Sequence, residues 1–290
     1  MLSKVKLDDF YLYSIDNGTF KLDGGAMFGV VPKTLWSKQI KSDDLNRITM
    51  AMRSLLVVSK RTKKIYLIDT GVGTKFNEKL TKIYGLDLAT NNLDSSLSAH
   101  GFSKNDITDI IFTHLHFDHC GGISKLNKNG EPELEFKNAN IWVTKSHWET
   151  ANTPNAREKA SFFRENLEPI RDSGRLKLID EGHEYETGLG HIIVDGHTLG
   201  QQLPLITSGS TSILFAADLL PTFAHIPTPW VMGYDMYPTS TLLEKQSILT
   251  DCYKKNILLY MQHDAQNEVI SVKPKEKYYS LANTITLNDL

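Results

Sequence analysis

The stretch Thr113-His114-Leu115-His116-Phe117-Asp118-His119-Cys120-Gly121-Gly122 places three histidines and one aspartate within six residues. Imidazole nitrogens and carboxylate oxygens are ligands that zinc, iron and manganese take in proteins. The spacing of these four side chains fits neither one face of a helix nor the alternation of a strand, so we expect an irregular loop whose side chains converge on a metal. The alternative, a chance cluster of surface histidines, is disfavoured because the 290 residues hold only 10 histidines.

The composition is that of an ordinary globular protein. A net charge of −2 gives no electrostatic reason to expect nucleic acid or an anionic membrane as a partner. The first residues lack the apolar run of a signal peptide, and no window reaches the roughly 18 apolar residues of a membrane span. Two cysteines are too few for a disulfide framework, and we expect a cytoplasmic location.

Potential ligands stand at the ends of four predicted buried strands. His114 follows strand 107–113, and the other three are His197 after strand 191–194, Asp218 at the end of strand 213–218 and His263 at the end of strand 257–263. Open sheets commonly place their sites at the carboxyl ends of strands. One such residue would usually be part of a turn, but four together favour a shared site.

Asp69 also ends a predicted strand, and glycines follow it in Asp69-Thr70-Gly71. Such a carboxylate can fix a ligating imidazole through its other ring nitrogen. It can equally cap a helix or form an Asx turn, and the residues alone do not decide between these roles.

The remaining pattern predicts one α/β (α+β) domain over residues 1–290, with similar halves at about 10–170 and 171–270 and a surface tail at 271–290. Asp16-Asn17-Gly18 predicts a hairpin between strands 10–15 and 19–22. An amphipathic helix is expected over 155–170. The loop 23–36 is expected to line a pocket, to form a subunit contact or simply to pack on the core, and a homodimer built partly on residues 25–45 is a reasonable expectation.

At this point the chain resembles the metallo-β-lactamase-fold hydrolases. The stretch 113–122 matches their His-x-His-x-Asp-His signature, His197, Asp218 and His263 follow in the family's order, and Asp69-Thr70-Gly71 matches its upstream Asp-x-Gly element. The resemblance spans about residues 10–265. It implies an αββα sandwich, in which two mixed β-sheets lie face to face with helices on the outer faces and metals at one edge.

The resemblance also implies the ligand set of a dinuclear site. The first metal would be held by His114, His116 and His197, the second by Asp118, His119 and His263, and both by the bridging Asp218. Two divalent ions are expected, Zn²⁺ first, with Mn²⁺, Fe²⁺ and Co²⁺ as alternatives. In such enzymes a metal-bridging hydroxide attacks the substrate, and Asp118 can pass a proton to the leaving group.

The segments around the motif are most similar to the acyl-homoserine lactonase and methyl-parathion hydrolase branch. The resemblance implies a small-molecule ester or lactone substrate, with a quorum-quenching lactonase as the leading hypothesis. A phosphotriesterase or aryl esterase of the same fold is the first alternative, and a non-catalytic ligand-binding protein is the second. An apolar set could line the substrate pocket or pack in the core, namely Met27, Phe28, Phe223, Trp230 and Met232.

The chain departs from the best-known lactonases in one respect. They carry a tyrosine just beyond the bridging aspartate to assist the substrate carbonyl, whereas residues 219–222 here are Leu-Leu-Pro-Thr. His225 or Tyr234 could take that role, and His225 could equally be structural. Cys120 has no place in the implied ligand set and is expected to be a small buried residue behind the site.

Overall fold

The computed structural model describes residues 2–290. The strands within this range are β1 Lys4–Lys6, β2 Phe10–Asp23, β3 Arg47–Ser59, β4 Ile65–Ile68, β5 Asp109–Ile111, β6 Ser124–Leu126, β7 Pro132–Leu134, β8 Asn140–Thr144, β9 Leu176–Ile179, β10 Leu189–Val194, β11 Gln201–Ser208, β12 Thr211–Phe215, β13 Leu258–Tyr260, β14 Val269–Lys275 and β15 Tyr278–Ile285. The α-helices are α1 Gly24–Phe28, α2 Lys33–Trp36, α3 Glu78–Ile83, α4 Leu93–Ala99, α5 Phe117–Cys120, α6 Lys145–Asn152, α7 Arg164–Asp172 and α8 Pro238–Lys255.

Two mixed sheets form the centre of the structure. The first has seven strands in the order β1-β2-β3-β4-β5-β8-β9, and the second has six in the order β10-β11-β12-β13-β14-β15. Both contain parallel pairs, such as β4 with β5 and β12 with β13, among antiparallel ones. The predicted pair of mixed sheets is confirmed.

The hydrophobic core lies in layers, because each sheet is apolar on both faces. One cluster joins side chains of both sheets, including Leu55 and Ile68 from the first and Phe215 and Leu259 from the second. Another packs α4 and α7 on the outer face of the first sheet, and Ile248 and Leu249 of α8 join the cluster shared with the second sheet. Burial of this apolar surface is the main favourable term in folding, and it produces the αββα layering.

The predicted hairpin at Asp16-Asn17-Gly18 is wrong, because β2 continues through it and pairs with β3 along its whole length. The register shifts between Asp16 and Thr19, so the extra residues form a bulge. Asn17 is buried and donates from Nδ2 to Ser54 Oγ at 2.7 Å. Gly18 has a φ of +92°, and a Cβ there would lie 2.3 Å from the Asp87 carbonyl oxygen. The Asn-Gly pair therefore packs into the fold instead of turning the chain.

The predicted surface tail at 271–290 is also wrong. β14 and β15 extend the second sheet, and Leu287 beyond them is fully buried. The charged run Lys273-Pro274-Lys275-Glu276-Lys277 is exposed, as its composition suggested, but its first three residues belong to β14 and the last two form the turn to β15. The predicted helix 155–170 begins only at Arg164, and the residues before it form a loop that reaches the metal site.

The strand ends set the place of the site. Two parallel pairs of strands lead into the site. β4 is parallel to β5 and β12 is parallel to β13, so the strands of each pair end on the same side of their sheet. Asp69, His114, Asp218 and His263 follow these ends. Segment 25–45, for which a subunit contact is one prediction, exposes Val30 to 91% and Leu45 to 69%, and the homodimer stays a prediction.

Within residues 2–290, no helix combines the length and the apolar character needed to cross a membrane.

Candidate metal centre

The loop after β5 holds its histidines in place through backbone bonds. Leu115 donates its N–H to His147 Nε2 at 2.8 Å, and His147 Nδ1 is 2.9 Å from the Leu199 carbonyl. α5 then begins, with the N–H groups of His119 and Cys120 bonded to the His116 carbonyl at 3.0 Å. His147 is thus a buried brace for the loop, as expected of a structural histidine.

The seven predicted ligands come together in two groups. His114, His116, His197 and Asp218 form one, and Asp118, His119 and His263 form the other. Within each group, one ligand atom per residue lies within 4.8 Å of all the others, and all seven residues are buried. The structure therefore brings together, from distant parts of the chain, every residue that the sequence assigned to the metals.

The ring nitrogens that face the centre of the site are very close to each other. His116 Nδ1 lies 3.0 Å from His114 Nε2 and 3.2 Å from His197 Nε2. In the second group, His119 Nε2 lies 3.2 Å from His263 Nε2. Nitrogens at this distance repel each other unless a positive charge or a proton lies between them.

The outward-facing ring nitrogens are all anchored to protein oxygens. The pairs are His114 Nδ1 with Thr113 Oγ1 at 3.1 Å, His116 Nε2 with Glu158 Oε1 at 3.2 Å, His119 Nδ1 with Asp69 Oδ2 at 2.9 Å, His197 Nδ1 with Asp235 Oδ1 at 3.0 Å and His263 Nδ1 with the Ala51 carbonyl at 2.8 Å. Carboxylates and carbonyls only accept hydrogen bonds, and the Thr113 hydroxyl accepts here because it already donates to Asp69. The outer nitrogens therefore donate, which leaves the inner nitrogens to offer lone pairs to a metal.

Asp218 stands between the two groups. Its Oδ2 atom is 3.1 Å from His197 Nε2 and 3.5 Å from His119 Nε2, while its Oδ1 atom is 3.2 Å from His263 Nε2. Oδ1 is buried and has no hydrogen-bond partner among the described residues. A carboxylate oxygen that faces a histidine lone pair needs a cation beside it. This arrangement suits a carboxylate shared by two metal ions.

The electrostatics show the same need for positive charge. Burial alone would raise the pKa of Asp218, but His119, His197 and His263 outweigh it and hold this pKa well below its usual range. Burial lowers the pKa of His197, yet Asp218 and Asp235 reverse this and raise it to about 10. Without a metal, protons compensate the buried carboxylates. Two divalent cations would supply the charge instead and release those protons, so the residues present fit a dinuclear metal site.

Of the roles predicted for Asp69, the geometry favours that of fixing a ligating imidazole through its other ring nitrogen. It is fully buried, and its Oδ2 atom accepts from His119 Nδ1 at 2.9 Å and from Thr113 Oγ1 at 2.8 Å. Its backbone is in the left-handed region, with a φ of +57°. This conformation turns the chain out of β4 and directs the carboxylate at the loop. Asp69 therefore orients a ligating imidazole.

Two further carboxylates with this role were missed in the sequence. Glu158, from the loop before α7, pairs with His116 and also accepts a hydrogen bond from Thr198 Oγ1. Asp235, from the loop before α8, pairs with His197. Both residues are buried, with 4% of Glu158 and 1% of Asp235 exposed. Neither follows a strand, so the strand-end rule could not find them.

Glu158→Gln is expected to weaken binding of the first metal ion, the one assigned to the group with His116, and to spare the second. Burial would raise the pKa of Glu158, but the bonds from His116 and Thr198 lower it, so the group is an anion that holds His116. Losing this charge should reduce zinc affinity at one site by about 10- to 100-fold, as is usual for such partners, and leave the second site unchanged. Competitive titration with a chelating dye measures both affinities. The exposed Glu149→Gln on α6 is the control, and equal loss at both sites would contradict this assignment.

His225 is turned away from the two metal groups. Its Nε2 donates to the Met27 carbonyl at 2.8 Å, its Nδ1 accepts from Thr222 Oγ1 at 2.8 Å, and its ring stacks on Phe28 at 4.6 Å. With both nitrogens paired inside the protein, it has no donor left for a substrate. Of the two roles predicted for His225, the geometry favours the structural one, and the catalytic one stays a prediction.

A pocket of about 900 Å³, including its open mouth, lies over the metal groups. Met27, Met232 and Tyr234 line it, as do Phe117 and Tyr84. Two of the five residues in the predicted apolar set therefore reach the pocket, and Phe28, Phe223 and Trp230 pack in the neighbouring core. Cys120 lies behind the site, fully buried, and burial raises the pKa of its thiol.

Comparison with known proteins agrees with this geometry. The family model of the metallo-beta-lactamase superfamily matches residues 53–251. An N-acyl homoserine lactonase of Bacillus thuringiensis is 27% identical over 171 residues, which is 58% of this chain and 60% of that protein. The match thus covers less than two thirds of the length of that lactonase.

Two solved structures extend the likeness to nearly the whole chain. A probable metal-dependent hydrolase from Staphylococcus aureus is 28% identical, with a TM-score of 0.85 over 97% of this chain and 100% of the other. A dizinc quorum-quenching lactonase in complex with a homoserine product shares the fold at 23% identity and a TM-score of 0.79, over 98% of this chain and 97% of the other.

Proposed function

Because the chain belongs to the metallo-beta-lactamase superfamily and is a metal-dependent hydrolase, we propose that it opens a lactone ring, with an N-acyl-homoserine lactone as the substrate and zinc in both metal positions. One observation carries the proposal. The seven-ligand site, with Asp218 between its two halves, opens directly into a pocket whose wall is largely apolar. Such a wall suits an acyl chain, and the lactonase relatives support the choice of substrate.

When bound, the two ions would lower the pKa of a water molecule and polarise the carbonyl of the substrate. The protein supplies the geometry for this chemistry. The anchored outer nitrogens fix every histidine ring in one orientation, and Asp218 sets the spacing of the two halves. Both tasks are completed before a substrate arrives, so no reorganisation is needed during the reaction.

We propose that Asp118 moves a proton. Its Oδ2 atom faces His119 Nε2 at 3.7 Å and His263 Nε2 at 3.8 Å, and the residue also lines the pocket. Its carboxylate would take a proton from the attacking water and return it to the leaving alkoxide oxygen of the opened ring. The leaving group stays tethered to the acyl part, so the product is a single hydroxy acid.

The alternative substrate is a phosphotriester or an aryl ester, because the same site could polarise a phosphoryl oxygen. We expect zinc-loaded protein to release protons from N-acyl-homoserine lactones and simple aliphatic lactones with a kcat/KM at least about a hundredfold above that for an aryl phosphotriester, a difference of about 2.7 kcal/mol in barrier. Chelator-treated protein is the control and should be inactive on all three.

A faster phosphotriester or aryl-ester reaction would contradict the lactone proposal and favour the first alternative. The second alternative, a ligand-binding protein without turnover, predicts a higher melting temperature with lactone and no proton release. The intact set of seven ligands argues against it, since binding alone requires no dinuclear site.

A further inference from the structure

The pocket contains two phenol groups to which the metal chemistry gives no role. Tyr84 and Tyr234 both line it, together with Asp118. Neither hydroxyl has a hydrogen-bond partner among residues 2–290. Pro221, which also lines the pocket, stands just beyond the bridging Asp218 and offers no donor. A substrate oxygen that enters the pocket can therefore accept a hydrogen bond from either phenol.

Tyr84 is held rigidly. It follows α3 directly, its N–H bonds to the Leu80 carbonyl at 2.9 Å, and its carbonyl accepts from the N–H of Lys21 at 2.6 Å. Its ring packs against Phe76 at 5.4 Å and against Phe117 at 5.0 Å between centroids. Phe117 is the residue next to Asp118 in α5, so this packing fixes the phenol relative to that ligand.

Tyr234 stands on a loop that is tied down on both sides. Gly233 donates its N–H to the Ala26 carbonyl at 2.8 Å, and Met236 donates to the His197 carbonyl at 3.1 Å. The loop is exposed, and 39% of Tyr234 is accessible. Tyr234 is therefore the more exposed of the two residues, and Tyr84 is half-buried.

We propose that Tyr84 contacts the substrate, donating its phenol hydrogen bond to a substrate oxygen on the Asp118 side of the pocket, with the more exposed Tyr234 as a weaker second donor. Burial raises the pKa of both phenols, and the nearby carboxylates add to this, so each is a protonated donor at neutral pH, as an ordinary tyrosine is. The inference rests on the proposed function for the identity of the substrate, but the contact itself requires only an acceptor oxygen beside the scissile bond.

The test compares Tyr84→Phe and Tyr234→Phe with the wild type and with Tyr253→Phe, an exposed tyrosine on α8. Each zinc-loaded protein is titrated with N-hexanoyl-homoserine, the ring-opened product, by calorimetry. One lost hydrogen bond should raise the Kd by roughly tenfold for Tyr84→Phe, with a smaller rise for Tyr234→Phe and none for Tyr253→Phe. Zinc content and Tm should be unchanged in all three, which excludes a merely structural effect.

Activity on an N-acyl-homoserine lactone and on 4-nitrophenyl acetate separates the two proposals. If the wild type opens lactones and Tyr84→Phe matches it in Kd and kcat/KM, the inference on Tyr84 is overturned and the proposed function stands. If the wild type cleaves only the aryl ester, the lactone function fails, and a roughly tenfold or greater loss in Tyr84→Phe on that ester supports the contact. No turnover together with no product binding would overturn both.

Discussion

Asp218→Ala is expected to lower kcat/KM by on the order of a thousandfold or more, which corresponds to about 4 kcal/mol of barrier. The reason is geometric. Asp218 is a carboxylate whose two oxygens face ring nitrogens of both metal groups, at 3.1 Å from His197 Nε2, 3.5 Å from His119 Nε2 and 3.2 Å from His263 Nε2. Its removal leaves the second group with three ligands, Asp118, His119 and His263, and takes away the charge that holds two cations close together.

The metal content should change together with the activity. Elemental analysis after gel filtration should find two zinc ions per chain in the wild type and about one in Asp218→Ala, since the first group keeps three histidines. Asp251→Ala is a matched control, because that exposed aspartate on α8 pairs with Lys255, away from the metal groups. Two bound metals with wild-type activity in Asp218→Ala would show that Asp218 does not bridge.

The seven ligands could be predicted because their positions follow from local rules. All seven are histidines or acids in a dense motif or just beyond an apolar strand, and strand ends meet at the edge of a sheet. His197, Asp218 and His263 each come three residues after β10, β12 and β13 end. The strand-end rule therefore marked them as candidates, and the order of ligands in the family assigned them to the two metals.

The residues that orient the ligands were harder to find, because they come from loops. Glu158 reaches His116 only because the chain between α6 and α7 forms a loop, where periodicity predicted a helix. The mistake at Asn17-Gly18 has the same origin. Turn chemistry is local, but Asn17 is buried against Ser54, whose position is set by strand pairing. Tertiary packing overrode the local preference in both cases.

His225 and Tyr84 illustrate a further limit. Both are polar residues near the site in the structure, yet one faces inward to Met27 and the other lines the pocket. Sequence spacing from Asp218 suggested His225 and gave no indication of Tyr84, which lies more than a hundred residues earlier in the chain. The direction of a side chain depends on the backbone that carries it, and spacing alone does not contain that information.

Asp69→Ala is expected to destabilise the metal-free protein by roughly 3–5 kcal/mol, the usual cost of removing one partner from a buried charged network. The carboxylate accepts four hydrogen bonds, from Thr113 N at 2.8 Å, Thr113 Oγ1 at 2.8 Å, His119 Nδ1 at 2.9 Å and Gln262 Nε2 at 2.9 Å. Alanine would leave all four donors buried without an acceptor. Urea unfolding after chelation measures this loss apart from any effect of metal. Asp94→Ala, at a side chain that is 69% exposed, is the control and should stay within about 0.5 kcal/mol of the wild type.

Asp69→Asn separates the two tasks of this residue. The amide keeps the shape of the carboxylate and one acceptor oxygen, so it should cost less stability than alanine. With that oxygen opposite the Thr113 N–H, the NH₂ group faces His119 Nδ1 and cannot accept from it. The ring is then no longer held with its Nε2 lone pair towards the second metal. We expect zinc affinity at the second site to fall about 10- to 100-fold while the first site is unchanged, the reverse of the pattern for Glu158→Gln. If Asp69→Asn lost stability but bound both zinc ions as tightly as the wild type, Asp69 would be a brace for the Thr113 loop alone, and the orientation of His119 would have to come from its contacts with Asp118 and Asp218.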